Sequence, residues 1–281
     1  MKTPLPSALT SPPPPVPNVL LTFPAPHVLL ITLNRPAQLN AIPSAQHSAL
    51  AALYAWYDAE PHLRCAVLTG SGRAFCAGAD LREWHALNGA AEGTQGRIGI
   101  PVEGFGGLSN RAGKKPVVAA VNGLCLGGGM EMVVNCDIVV AAEGAKFGLP
   151  EVTKGVIAVA GALPRVIRTL GRQRAAEMAL LGRVYGAREM ERWGVVNFVV
   201  AEGEVVAEAV RVAEEIAGNS PDAVITSREG LKLGWEGVGP ELATDILVKG
   251  VFGRMDRGEN MKEGVASFVE KRKPVWKDSK L

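Results

Sequence analysis

Residues 116–136 read PVVAAVNGLCLGGGMEMVVNC. The run PVVAAV is short, continuous and apolar, the pattern of a strand buried on both faces. An Asn-Gly step breaks it, and LCL follows. Three glycines, Gly127, Gly128 and Gly129, then precede the helix-like segment MEMVVNC. A strand, a glycine turn and a helix start frame many phosphate cradles. This one has neither the Lys-Ser/Thr of GxxxxGK[ST] nor the spacing of GxGxxG. It has an acid instead, Glu131. N–H groups at a helix start lack intrahelical partners and carry positive partial charge. Glycine lets an oxygen approach them with no Cβ in the way. Alone, the stretch reads either as a tight turn or as half of an oxyanion hole.

Two more stretches share the frame. In FCAGADLREW (75–84) a strand runs into a glycine, and the Ala79 N–H points off the turn. Asp80 suits an N-cap there. In KFGLPEVTKG (146–155) Glu151 follows Pro150 in a loop. A helix and a strand separate Glu131 from Glu151, a path that returns the chain to the same end of a core. Two outward N–H groups and two carboxylates suit proton chemistry beside a thioester carbonyl.

Outward from these stretches, VLLTF (19–23) and HVLLITLNRP (27–36) alternate as strands that Pro36 ends. Helical spacing covers about 43–60. CAVLTGSG and DIVVAAEG read as further strands, residues 88–107 as a glycine-rich mobile loop, 161–181 and 186–193 as helices, and VVNFVV as a strand. From about 203 onward the pattern is helix after helix. Repeated ββα turns fit a parallel β spiral or a layered α/β fold, which periodicity alone does not separate from a doubly wound sheet. Three regions follow: a disordered Pro-rich arm over 1–17, a core over 18–200, and a helical segment over 201–281.

The 281 residues are 47% hydrophobic and 21% charged, with a net charge of +2. The short basic runs KKP and EKRKP are too sparse for a nucleic-acid face, so no nucleic-acid partner is expected. No stretch is long and apolar enough for a membrane span. The arm MKTPLPSALTSPPPPVPN has no signal-peptide pattern. Cys65, Cys76, Cys125 and Cys136 lack metal spacing and read as reduced core thiols. The histidines His27, His47, His62 and His85 form no HExxH-type pair, and no protein-built metal site is expected. The sequence ends in Ser279-Lys280-Leu281, the SKL address read by a peroxisomal import receptor, so the expected location is the peroxisome.

From about residue 19 onward the chain resembles the enoyl-CoA hydratase/isomerase (crotonase) family. The resemblance runs through LNRPAQLNA, VLTGSGRAFCAGADL, KPVVAAVNGLCLGGGMEM, CDIVVAAEGAKFGLPEV, GALPRV, AAEMALLGRVYGAREMERWGVVNFVV and SFVEKRKPVW. It implies a spiral of ββα turns with a C-terminal helical trimerisation segment, assembled as a trimer or dimer of trimers. It implies oxyanion donors at Ala79 and Gly128, and catalytic acids at Glu131 and Glu151. It places Ala79, Asp80, Leu81 and Arg82 along a CoA site, which Phe268 and Lys271 approach from the C-terminal helices. No separate cofactor is implied, coenzyme A being part of the substrate. The implied activity is hydration of an enoyl-CoA in fatty-acid β-oxidation or related acid catabolism. Isomerisation, a carnitinyl-CoA dehydratase-like reaction suggested by GFGGLSN (104–110), and a non-catalytic scaffold or RNA-binding protein remain alternatives. Where many hydratases carry Pro-Gly after the second acid, this chain has Ala158-Val159, and Val159 is expected to narrow the pocket.

Overall fold

The computed structural model of the chain describes residues 7–80, 82–83 and 100–281. Leu81 and residues 88–99 of the expected mobile loop lie outside the described residues, as do residues 1–6 of the arm.

The apolar runs form one six-stranded sheet. Strands β1 (Val19–Ala25) and β2 (Val28–Leu33) are an antiparallel hairpin at its edge. The remaining four are parallel: β3 (Cys65–Gly70) beside β2, then β5 (Val117–Val121), β7 (Ile138–Ala142) and β10 (Phe198–Val200). Every residue of β3 and β5 is buried, as parallel strands covered on both faces require. After β3, β5 and β7 the chain steps into a second, smaller sheet through β4 (Ala74–Cys76), β6 (Leu124–Leu126) and β8 (Lys146–Gly148). These three are parallel, and β9 (Val184–Gly186) closes the sheet antiparallel to β8. Each circuit adds one strand to each sheet. This is the expected spiral, and the two-sheet alternation is what periodicity could not separate from a doubly wound sheet.

Ten helices fall among the described residues. Helix α1 (Ser44–Ala59) follows the β hairpin, and α2 (Gly128–Val133) follows β6. Helices α3 (Ala162–Leu170), α4 (Arg172–Leu181) and α5 (Ala187–Arg192) lie between β8 and β10. Helix α6 (Val205–Ala217) packs its buried face on β3, β5 and β7. The rest of the C-terminal part is α7 (Pro221–Trp235), α8 (Pro240–Leu247), the short α9 (Gly253–Met255) and α10 (Glu259–Val269). No helix among the described residues is long and apolar enough to cross a membrane.

The arm departs from expectation over residues 7–17. It lies against α1: the Thr10 N–H and hydroxyl both donate to Glu60 Oε2, at 2.9 and 2.7 Å. Gln46 donates to the Pro17 carbonyl at 2.7 Å, and Leu9 and Val16 pack on the core. Its prolines leave few backbone donors, and side chains of α1 and the turn after it supply the bonds.

Candidate active site

Strands β4, β6 and β8 run side by side, with Cys76 paired to Cys125 and Leu126 paired to Gly148. All three end at the same edge, so the segments that follow them meet there. After β4 comes the corner Ala77–Gly78–Ala79. After β6 comes Gly127, at φ 55°, leading into α2. After β8 comes Pro150 and the 3₁₀ turn Glu151–Lys154.

The meeting is close. A Cβ on Gly78 would lie 3.2 Å from the Gly128 nitrogen, and one on Gly127 would lie 3.3 Å from Glu151 Oε1. A Cβ on Gly129 would fall 2.3 Å from the Cys76 carbonyl oxygen, so the close approach of α2 to β4 requires glycine there. Gly128 is the first residue of α2, and its N–H has no intrahelical partner. Among the described residues the Ala79 N–H donates to no protein oxygen. Two free N–H groups on adjacent corners are the donor pair that an oxyanion needs.

Glu131 lies one turn into α2 and is only 4% exposed. Its Oε2 accepts the Ala162 N–H at 3.1 Å, a donor left free at the start of α3. Burial raises its carboxyl to about 7, and the nearby Glu151 adds to the rise. Backbone hydrogen bonds from Ala162 and Ala160 offset part of it. Burial also raises the Glu151 carboxyl, and Glu151 Oε2 is buried with no hydrogen-bond partner among the described residues. One carboxylate is thus held by a backbone amide with its carboxyl raised to about 7, while the other has a buried oxygen without a partner among the described residues. Such a pair can take and give protons at adjacent carbons of a bound thioester.

The other expected site residues divide. The Asp80 carboxylate is spent on Arg35, at 3.0 Å, and on the Arg82 N–H, at 3.2 Å. Arg35 also holds the Ala41 carbonyl at 2.6 Å, so Asp80 anchors the Ala79 corner through its side chain. Arg82 is exposed. Phe268, 85% exposed, and Lys271 lie at the end of α10. Val159 is 63% exposed and Ala158 is buried.

Four residues outside the expected set shape the site. The Phe105 ring lies against Gly128, where a Cβ would meet it at 2.5 Å. Its edge packs on the His47 ring, and His47 Nδ1 accepts the Gly106 N–H at 2.9 Å. Burial lowers the His47 imidazole to about 4, against the opposing pull of Glu83, so it is a neutral acceptor. The Ser109 hydroxyl accepts the Phe105 N–H at 2.7 Å and donates to the Ala160 carbonyl at 2.6 Å. Ser109 therefore joins the loop that supports Gly128 to the loop that holds Glu131. Arg165 ties the first turn of α3 to Asn135, Gly161 and Asn110, at 2.8, 3.0 and 3.0 Å. GFGGLSN and GALPRV contain Phe105, Ser109 and Arg165, but His47, Ala160 and Asn110 lie more than fifty residues from the residues they meet, and no local pattern marks them.

A spiral with two amide donors, one buried glutamate and one half-buried glutamate at one strand edge belongs to a defined class. The chain is a member of the enoyl-CoA hydratase/isomerase family, whose model matches residues 25–279. It is a hydro-lyase that adds water across the 2,3 double bond of an enoyl-CoA thioester. Among its relatives is a mevalonyl-coenzyme A hydratase of Beauveria bassiana, 62% identical over 277 residues, 97% of this chain and 99% of that protein. A second mevalonyl-coenzyme A hydratase, from Aspergillus fumigatus, is 52% identical over 268 residues, 95% of this chain and 98% of that protein. The solved enoyl-CoA hydratase of Bacillus anthracis superposes with a TM-score of 0.84 at 34% identity, covering 93% of this chain and all (100%) of that one.

Proposed function

We propose that this hydro-lyase interconverts mevalonyl-CoA, a 3,5-dihydroxy-3-methylpentanoyl thioester, with its 2-enoyl counterpart. The two relatives bearing that substrate in their names carry the proposal. They match nearly the whole chain at 62% and 52% identity, whereas a probable enoyl-CoA hydratase of Rhizobium meliloti matches at 38%. The site geometry suits the reaction. In the dehydrating direction Glu151 takes a proton from C2. Charge then gathers on the thioester oxygen, which the Ala79 and Gly128 amides hold, each worth about 3 kcal/mol. Glu131 gives its proton to the hydroxyl leaving C3, and water departs. Hydration is the reverse, with Glu131 ionised and drawing a proton from the attacking water. A carboxyl near 7 can serve both directions at neutral pH. Coenzyme A enters only as part of the substrate.

The test is a panel of thioesters followed by enoyl-thioester absorbance: mevalonyl-CoA, crotonyl-CoA, longer straight-chain 2-enoyl-CoAs and a 3-enoyl-CoA. The branched substrate is expected to give the highest kcat/KM. A higher value for straight-chain thioesters would replace it with a fatty-acid β-oxidation role, and turnover of the 3-enoyl substrate would point to isomerisation.

Exposed apolar side chains on α3, α4 and α10, among them Ile167, Leu180, Leu181 and Phe268, support a trimer or dimer of trimers, with Phe268 and Lys271 reaching a neighbour's CoA. Light scattering on the purified chain tests it. Ser279-Lys280-Leu281 supports import into peroxisomes, and a fluorescent fusion lacking these three residues should stay in the cytosol.

A further inference from the structure

We infer that His27, His62 and Asp278 form a binding site for one divalent transition ion of the zinc class, joining the tail of the chain to the β1–β2 hairpin. One ligand atom from each residue lies within 4.8 Å of the other two. The rings of His27 and His62 are 4.4 Å apart, and Asp278 Oδ2 is 3.9 Å from His62 Nδ1. Two imidazoles and a carboxylate leaving a position for water are a common zinc donor set. Bonds of about 2.0–2.1 Å set tetrahedral ligands roughly 3.4 Å apart, so the cluster closes by about an ångström. Asp278, 42% exposed at its side chain, has room for that movement.

Three features prepare the cluster for an ion. His27 Nδ1 is 2.6 Å from the His62 carbonyl oxygen. An oxygen there only accepts, so Nδ1 carries the proton and Nε2 is left as a lone-pair donor. A backbone carbonyl on the far ring nitrogen is the usual support of a metal-bound histidine. Asp278 Oδ1 is engaged by Arg64 at 3.4 Å, and Arg64 is itself held by the carbonyls of Ala217 and Trp276. That leaves Oδ2 facing His62. Third, His27 holds φ at 64° in the turn after Pro26, between the paired residues Ala25 and Val28. Glycine is the ordinary residue there, and a side chain in that conformation is strained. The strained turn puts the imidazole over a shallow cleft of about 260 Å³ that His62 also lines. The cluster is distinct from Glu131 and Glu151, and no residue of the hydratase site belongs to it.

The experiment uses the full chain without a histidine tag, stripped by a chelator. It is titrated with zinc chloride by calorimetry and with cobalt chloride by visible absorption. One zinc per chain is expected, with cobalt bands of tetrahedral intensity. His62→Gln and Asp278→Asn should each weaken binding by about tenfold or more. Unchanged hydratase turnover in both variants shows that they fold. Absence of saturable binding, or binding that survives both substitutions unaltered, overturns the inference.

Discussion

The two sheets of this protein are built from similar residues and do different work. In the larger one, β3 and β5 are buried throughout, and polar groups are spent locally: the Thr69 hydroxyl donates to the Ala120 carbonyl at 2.8 Å, and Asp137 accepts the Val117 N–H at 2.8 Å. In the smaller one the parallel strands are three residues long. Past their ends lie free amides, a glycine at positive φ, a buried carboxylate near half-ionisation and another with an unpartnered oxygen. The first sheet maximises satisfied burial. The second uses that stability to keep unsatisfied groups in place.

The contrast breaks most sharply at the acids. Glu131→Gln and Glu151→Gln should each lower kcat by about 10² to 10⁴, while the chain stays folded by circular dichroism. In the wild type, kcat/KM for hydration should rise with pH through about 7 as Glu131 ionises. A full-rate Glu131→Gln enzyme, or a flat pH profile, would place the chemistry elsewhere. The reverse experiment is in the large sheet. Leu68→Ala empties a fully packed position on β3 and should cost about 2–5 kcal/mol by denaturant unfolding. Its pH profile for the remaining folded enzyme should match the wild type.

A subtler result separates the sheets by stability. The folded carboxyl of Glu131 is raised above its unfolded value, so its neutral form favours folding. That contribution is full below the unfolded value, near 4.5, and is lost as pH rises through about 7. Glu131→Gln should therefore raise stability at pH 8, by up to about 3 kcal/mol, and change it little at pH 4. Equal effects at both pH values would mean that burial of charge is not the cause. The smallest effect belongs to a link rather than an acid. Ser109→Ala unhooks Phe105 from Ala160 and should lower kcat by about tenfold with KM nearly kept. Ser109→Thr, keeping the hydroxyl, should restore most of the rate.

Much of this was legible in the residues. The buried strands read as uniform apolar runs, because both their faces are covered. Three strand-to-glycine or strand-to-proline corners with acids read as a site, because free N–H groups and carboxylates are local features of a chain. What was not legible joins distant segments. Ser109 meets Ala160, and His47 meets Gly106, across more than fifty residues. The arm over 7–17 reads as disordered by its prolines, yet Glu60 and Gln46 bind it. Such outcomes depend on which side chains the fold brings opposite one another, and spacing does not encode that.

The parallel edge of β4, β6 and β8 also works as a ruler. Neighbouring strands hold their ends about 4.8 Å apart, whatever side chains follow. The distances among the Ala79 amide, the Gly128 amide and the two glutamates are therefore set by backbone hydrogen bonding. A chain of this design can change the acyl group it accepts by altering loops, because its chemical spacing is measured out by the main chain.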